Sequence, residues 1–258
     1  MAVALAESPV RVAVGRERFY FWMAATCLAV GVMGFAPSYW IRLPGGGLDV
    51  PPLTHIHALF FYGWLLFFMK QTSLASSGAV GRHRELGIAG VALATGMFFV
   101  GTGMAFSSLR QSMAAGFGEA ALAFSVVPFT GIVLFAVMFG IAIANVKRPE
   151  IHKRLILVAT VSILQAAVGR WFVLFLASPL PPGVHRSPPP VIVSVLPGLL
   201  VDLLIVAAMI HDRRTRGSVH RVYWIAGAAL LAVQVLRVPL STSHVWTVIA
   251  QWLLTLAP

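Results

Sequence analysis

Long stretches of this chain run without a charge. Val91–Leu109 carries none, and neither does Ala120–Val146. The hydrocarbon core of a bilayer is crossed by about 20 apolar residues in a helix. At that length the pattern predicts seven spans, at 19–40, 53–76, 85–107, 120–146, 151–177, 191–211 and 219–239. A last apolar stretch, 243–256, is too short to cross. Its Trp246 and Trp252 suggest an amphipathic helix at the interface, or one packed on the bundle. A β-barrel would show short alternating segments instead of solid runs. The fold class is therefore all-α: a polytopic bundle of seven transmembrane helices plus a short C-terminal interfacial helix. Residues 1–18 read as a cytoplasmic N-terminal segment, and 19–258 as a single transmembrane domain.

Composition agrees, with 59% of residues hydrophobic and 10% charged, where a soluble domain carries about a quarter charged. The net charge of +11 would suit nucleic acid, but its distribution does not. The basic residues sit at the ends of apolar runs, where they act as topology signals. Arg11, Arg16, Arg18, Lys70, Arg82, Arg84, Lys147, Arg148, Lys153, Arg154, Arg213, Arg214, Arg216 and Arg221 fall on one side, 14 of the 19 lysines and arginines. That bias puts the N-terminus in the cytoplasm and anionic lipid headgroups against the basic face. The bacterial inner membrane is the expected location. The basic stretch Arg11–Arg18 leads into a full-length span, so it reads as an uncleaved first helix. The single cysteine, Cys27, lies inside that span and excludes disulfides and thiolate metal clusters.

A histidine and a basic residue open three of the spans: His83-Arg84, His152-Lys153 and His220-Arg221, spaced 69 and 68 residues apart. HRELGIAGVAL at 83–93 resembles HRVYWIAGAAL at 220–230, and Pro128 and Pro197 precede their histidines by 24 and 23 residues. One reading is a lead helix followed by three related hairpins. The other is that short loops and bilayer thickness alone give near-equal spacing.

Candidate chemistry comes from the few polar residues in or at the spans. His55 and His57 open the second span, with Thr54 as the expected N-cap. Positions i and i+2 point about 200° apart on a helix, so only a frayed turn would aim both at one metal. His57, Phe61, Trp64, Phe68 and Gln71 fall near one stripe. Asp202 sits near the middle of the sixth span, where a carboxylate costs ~2.5–3.5 kcal/mol to insert. It must face the bundle interior, a water cavity or a partner, and Gln165 is at a similar depth to hydrogen-bond it. Gln234, Arg237, Arg170, Glu119, His55 and His57 share the outer half by depth and could form one polar cluster. His83 and His152 are two imidazoles at one depth, as six-coordinate haem b requires. Walker-type and Rossmann glycine motifs are absent.

The string HIHALFFYGWLLFFMKQTSLASSGAVGRHRELGIAG (55–90), with HKRLILVATVSILQAAVGR (152–170) and HDRRTRGSVH (211–220), resembles a widespread family of uncharacterised bacterial polytopic inner-membrane proteins. That resemblance implies a fold and a location. More loosely, histidines at helix ends resemble the small b-type cytochromes and the membrane factors that assist oxidase assembly. Those cytochromes pair histidines at both membrane levels, whereas the only other outer histidines here are His185 and His244.

Three functions follow as expectations. The leading one is a haem- or metal-linked redox or respiratory role, using His55, His57, His83 and His152. The second is a small-molecule or proton-coupled carrier built on Asp202, with Gln165, Arg170, Gln71, Gln234 and Arg237 as further buried polar candidates. The third is a non-catalytic membrane subunit or assembly partner; the expected partners are a respiratory complex or further copies of this chain.

Overall fold

The structure, a computed structural model, describes residues 9–45, 50–176 and 186–256, with side chains from Arg18 onward. His185 and most of the proline-rich 178–190 connection lie outside the described residues. Seven stretches are long and apolar enough to cross a membrane: Arg18–Trp40, Pro52–Ser76, Val80–Ala114, Gly118–Ala144, Pro149–Leu176, Val191–Arg216 and Arg221–Ser241. They are numbered here as spans 1 to 7. The expected edges hold to a few residues at most ends. The third span is the exception. Its helix runs 35 residues, because the charged turn 80–85 and the polar tail after Ser107 continue the helix beyond the apolar run.

Span 1 is helix α1 (Pro9–Phe35) closed by a π-helical turn, Ala36–Trp40. Span 2 is α2 (Pro52–Ser76) and span 3 is α3 (Val80–Ala114). Span 4 is α4 (Gly118–Phe124) running into α5 (Val126–Ala144), and span 5 is α6 (Pro149–Ser162) followed by α7 (Gln165–Leu176). Span 6 opens with a 3-10 turn, Val191–Ser194, before α8 (Val195–Arg216). Span 7 is α9 (Arg221–Ser241), and α10 (His244–Leu256) follows. Helix α2 starts one residue after Pro51, whose carbonyl accepts the Thr54 N–H. Thr54 is therefore inside the first turn and is not the cap that its side chain suggested; proline at the first helical position sets the start instead.

Short turns make successive spans antiparallel. One end of the bundle gathers Arg18, Lys70, Arg82, Arg84, Lys147, Arg148 and Arg213 and is called the basic end; the other is the far end. Span 5 is central. α6 packs against α5, α8, α9 and α1, and α7 against α1 and α8. Leu157 to Val161 of α6 are all buried, as an apolar helix surrounded by other helices requires.

Small residues let the helices close up. A Cβ on Gly34 would meet the Ala167 carbonyl oxygen at 2.5 Å, which fixes α1 against α7. A Cβ on Gly90 would meet the Phe67 ring at 2.5 Å, and one on Gly96 would collide with Phe60, so α3 receives the aromatic rings of α2. A second apolar cluster lies at the far end, where α10 folds back. Trp246 is buried there and donates from Nε1 to the Leu122 carbonyl at 2.9 Å, while Trp252 remains exposed. The short C-terminal helix thus packs on the bundle through one tryptophan and presents the other outward.

Candidate functional site

Spans 5, 6 and 7 share two polar levels. At the basic end stand Arg154, Asp212 and Tyr223. Toward the far end stand Gln165, Asp202 and Gln234, which are 11, 10 and 11 residues along the same spans. At 1.5 Å per residue the levels are about 15 Å apart. Between them lie Leu157, Val158, Val161, Ile205, Ala208, Ala226 and Leu230, all buried.

The basic-end level is saturated. Arg154 is 1% exposed and Asp212 2%. The guanidinium donates to the carboxylate from Nε to Oδ2 at 2.9 Å and from Nη2 to Oδ1 at 2.6 Å. This is the two-pronged geometry that makes arginine–carboxylate bonds strong. Its third nitrogen, Nη1, donates to the Glu150 carbonyl at 2.8 Å and to Glu150 Oε2 at 2.7 Å. Glu150 also takes Lys153 at 2.7 Å and Arg216. Asp212 Oδ2 accepts a further bond from the His220 N–H at 3.2 Å. The Tyr223 ring lies 5.6 Å from the Arg154 guanidinium, and the Tyr223 and Tyr20 hydroxyls meet at 3.1 Å, which ties in span 1. His220 caps α9: its Nδ1 accepts the Val222 N–H at 3.3 Å. Burial, and next the charge of Arg154, hold the His220 imidazole below its ordinary pKa.

The far-end level is not saturated. Gln234 donates to Asp202 Oδ1 at 3.3 Å. Arg237 donates from Nη2 to the Ser194 carbonyl at 3.3 Å, and Gln165 donates to the same oxygen at 2.9 Å. The expected Gln165–Asp202 bond is therefore corrected: Gln165 is held by the backbone at the start of span 6, and Asp202 by span 7. Gln234 Oε1 and Arg237 Nε are buried with no partner. Among the described residues every ion pair runs through Glu150 or Asp212, so Asp202 and Arg237 attract each other without pairing. Two of the three spans are irregular toward the far end: span 5 between Ser162 and Gln165, and span 6 at its opening 3-10 turn, while α9 stays helical through Pro239. Irregular backbone at membrane depth is tolerated where it is buried in protein or lines a cavity. Gly198 supplies the space for the Gln234 amide, since a Cβ there would stand 2.9 Å from Gln234 Cδ.

The single outer cluster expected from depth divides into two. Gln165 and Arg170 are five residues apart, about 140° around a helix, so span 5 sends them to different sides. Gln165 joins Asp202, Gln234 and Arg237. Arg170 turns to spans 1 and 2, with its guanidinium 4.9 Å from the Phe35 ring. His57 and Tyr62 lie within its electrostatic range. His57 stacks on Phe61 at 4.0 Å, whereas His55 is taken by the Tyr39 hydroxyl at 2.9 Å. Histidines two residues apart thus bind different partners, and among the described residues no group of three or more histidine, cysteine or acidic side chains is placed to hold a metal. Glu119 is exposed and joins neither cluster.

At the basic end His83 lies within electrostatic range of His152. His152 Nδ1 is tied to the Ala142 carbonyl at 2.9 Å, which leaves Nε2 for other partners. Gln71 is buried beside them, with neither amide atom bonded, and His83 Nδ1 is also without a partner. The stripe ending at Gln71 does face the core: Trp64, Phe68 and Gln71 are buried, and Trp64 Nε1 donates to Thr160 Oγ1 at 3.2 Å. Sequence reasoning missed the Arg154–Asp212 pair. One available signal was that Asp212 is the lone acid in a basic run, HDRRTRGSVH.

No protein-family model matches this chain, and searches of curated proteins and of solved structures gave no match.

Proposed function

We propose that this protein is a membrane carrier for a small polar solute, with its binding level at Asp202, Gln234, Arg237 and Gln165. The observation that supports this reading is the contrast between the two levels of spans 5 to 7. Buried polar groups without partners cost about 1–3 kcal/mol each. Gln234 Oε1 and Arg237 Nε carry that cost beside a carboxylate at membrane depth, with span 5 broken between Ser162 and Gln165 and span 6 opening on a 3-10 turn. Broken helices with polar groups near the midplane are what solute sites in carriers are made of. The saturated level beneath them then closes the path at the basic end. By the positive-inside bias we infer that this end faces the cytoplasm of a bacterial inner membrane.

The test is electrogenic or proton-coupled flux in proteoliposomes, recorded against a panel of amino acids, organic acids and inorganic cations. Wild-type protein should give a current with at least one class, and Asp202→Asn should abolish it or its pH dependence. Identical traces from both proteins with every class would end the reading.

A second reading rests on His83, His152 and Gln71. Two imidazoles at one end of the bundle, one with its Nε2 open, suit axial ligation of haem b, which would supply one-electron transfer. His55 and His57 support it less, because each is engaged by a different aromatic side chain. A visible spectrum of purified protein without a Soret band, together with metal analysis below stoichiometry, would remove this reading.

A further inference from the structure

Arg170 is the one membrane-embedded arginine left without an acceptor by the carrier reading. Arg154 has its carboxylates and Arg237 has the Ser194 carbonyl. Arg170 has no hydrogen-bond acceptor among the described residues; its contact is the Phe35 ring. Tyr62 lies within electrostatic range of its guanidinium. A guanidinium has five N–H donors in a rigid fork and does not give up its proton. In a bilayer such a group calls for oxygen acceptors beyond those that the described residues supply.

Its surroundings form a niche. The π-helical turn Ala36–Trp40 follows Phe35 directly and brings Trp40 onto Tyr62, with ring centroids 4.7 Å apart. π-turns within helices frequently mark functional sites. Tyr62 is anchored by its hydroxyl, which donates to the Gly31 carbonyl at 3.0 Å. Trp171, next to Arg170, donates to the Met33 carbonyl at 3.2 Å and fixes α7 against α1. His57 Nδ1, within electrostatic range of Arg170, is buried without a partner, and Trp40 Nε1 is buried against the Tyr62 side chain without a full hydrogen bond. The Tyr62 hydroxyl and the Trp171 N–H are already used, and among the described residues no acid is placed against Arg170. What remains is a set of nitrogen donors framed by aromatic rings, about two turns or less from the far end of α2.

We propose that this niche binds a phosphate group at the far membrane face, with Arg170 as its principal ligand and Trp40 and His57 as supporting donors. Phosphate oxygens accept in the fork geometry that a guanidinium presents, and the aromatic frame suits the interfacial depth at which lipid phosphates lie. The phosphate can belong to a phospholipid headgroup or be free in solution. This proposal does not rest on the carrier reading, since it concerns spans 1, 2 and 5 on the side away from Asp202.

The experiment uses full-length protein, delipidated in detergent, with native mass spectrometry and thermal unfolding as readouts. The probes are phosphatidylglycerol, diacylglycerol of the same chains, and inorganic phosphate. Stoichiometric retention of phosphatidylglycerol over diacylglycerol, weakened at least tenfold in Arg170→Gln and less in Arg170→Lys, which keeps the charge and loses the fork, supports a lipid phosphate. The same dependence on Arg170 with inorganic phosphate supports the free anion as the source. Trp40→Phe, which keeps the ring and removes the N–H, should weaken binding by a smaller factor and guards against a folding defect in the arginine variant. Arg110→Gln, on another part of the far end, should change nothing. Phosphatidylglycerol and diacylglycerol binding alike with no effect of inorganic phosphate, or wild-type affinity in a folded Arg170→Gln protein, overturns the proposal.

Discussion

The two polar levels of spans 5 to 7 are drawn from the same three helices and treat polar atoms in opposite ways. At the basic end, Arg154 and Asp212 are buried and each has its donors or acceptors met several times over. About 15 Å away, Asp202, Gln234 and Arg237 share few bonds and leave buried atoms unpaired. Desolvating two charges is repaid only when geometry and further hydrogen bonds are good. The first level meets that condition and so contributes rigidity. The second does not, and retains the capacity to bind. A level that must exchange partners during a cycle cannot already have them all.

This contrast is broken most severely by removing one partner of the saturated level. Asp212→Ala strips the buried Arg154 guanidinium of its two-pronged partner, leaving only Glu150 against Nη1, and should cost about 3 kcal/mol in unfolding from detergent. The double variant Arg154→Met, Asp212→Ala should recover most of that loss; a double variant no more stable than the single one would show that packing, and not the charge, is what Asp212 serves. Next in size is Gly198→Ala. Its methyl group meets the Gln234 amide, so overpacking should cost about 1–3 kcal/mol and solute-dependent flux should fall with it. Unchanged stability and flux would mean that Gln234 is free to move aside. Asp202→Asn should change stability by less than about 1 kcal/mol, since it keeps the shape of a single neutral-to-charged bond, yet remove flux. A destabilisation as large as that of Asp212→Ala would erase the distinction between the levels.

The smallest effect is one of pH. The folded His220 imidazole titrates below its ordinary pKa near 6.5, so its neutral form is favoured by folding. Its contribution is complete above pH 6.5 and is lost as pH falls toward the folded value. The causes are burial and next the charge of Arg154, and a protonated Nδ1 would also give up the Val222 N–H. Thermal stability should therefore decline slightly below pH 6.5, and His220→Asn, which can still cap the helix, should flatten that decline. An equal slope in the variant would place the titrating group elsewhere.

Much of the fold was legible along the chain. Charge-free runs set the spans within a few residues at most ends, and the largely aromatic stripe of α2 holds the buried Trp64, Phe68 and Gln71. The candidate site was legible only in parts. Asp202, Gln234, Arg237 and Gln165 stand out as polar residues in apolar runs, but their partners do not. Gln165 looked matched to Asp202 by depth, whereas rotation about span 5 and the 3-10 turn at Ser194 gave it a carbonyl instead. Arg154 was indistinguishable from the other basic residues at span ends, because a topology signal and a buried ion-pair member have the same place in a sequence.

What the sequence determined by itself is solvent and depth. A run of apolar residues has one favourable environment whatever its neighbours, and a charge at its end marks an interface. Tertiary structure alone decided partnership: that Arg154 meets Asp212 58 residues away, that Arg170 faces span 1 while Gln165 faces span 6, and that α10 buries one tryptophan and exposes the other. Depth is a property of each helix taken singly, set by its hydrophobic length. Partnership depends on rotation and neighbour order, which arise only when small residues such as Gly34 and Gly198 allow particular helices to close.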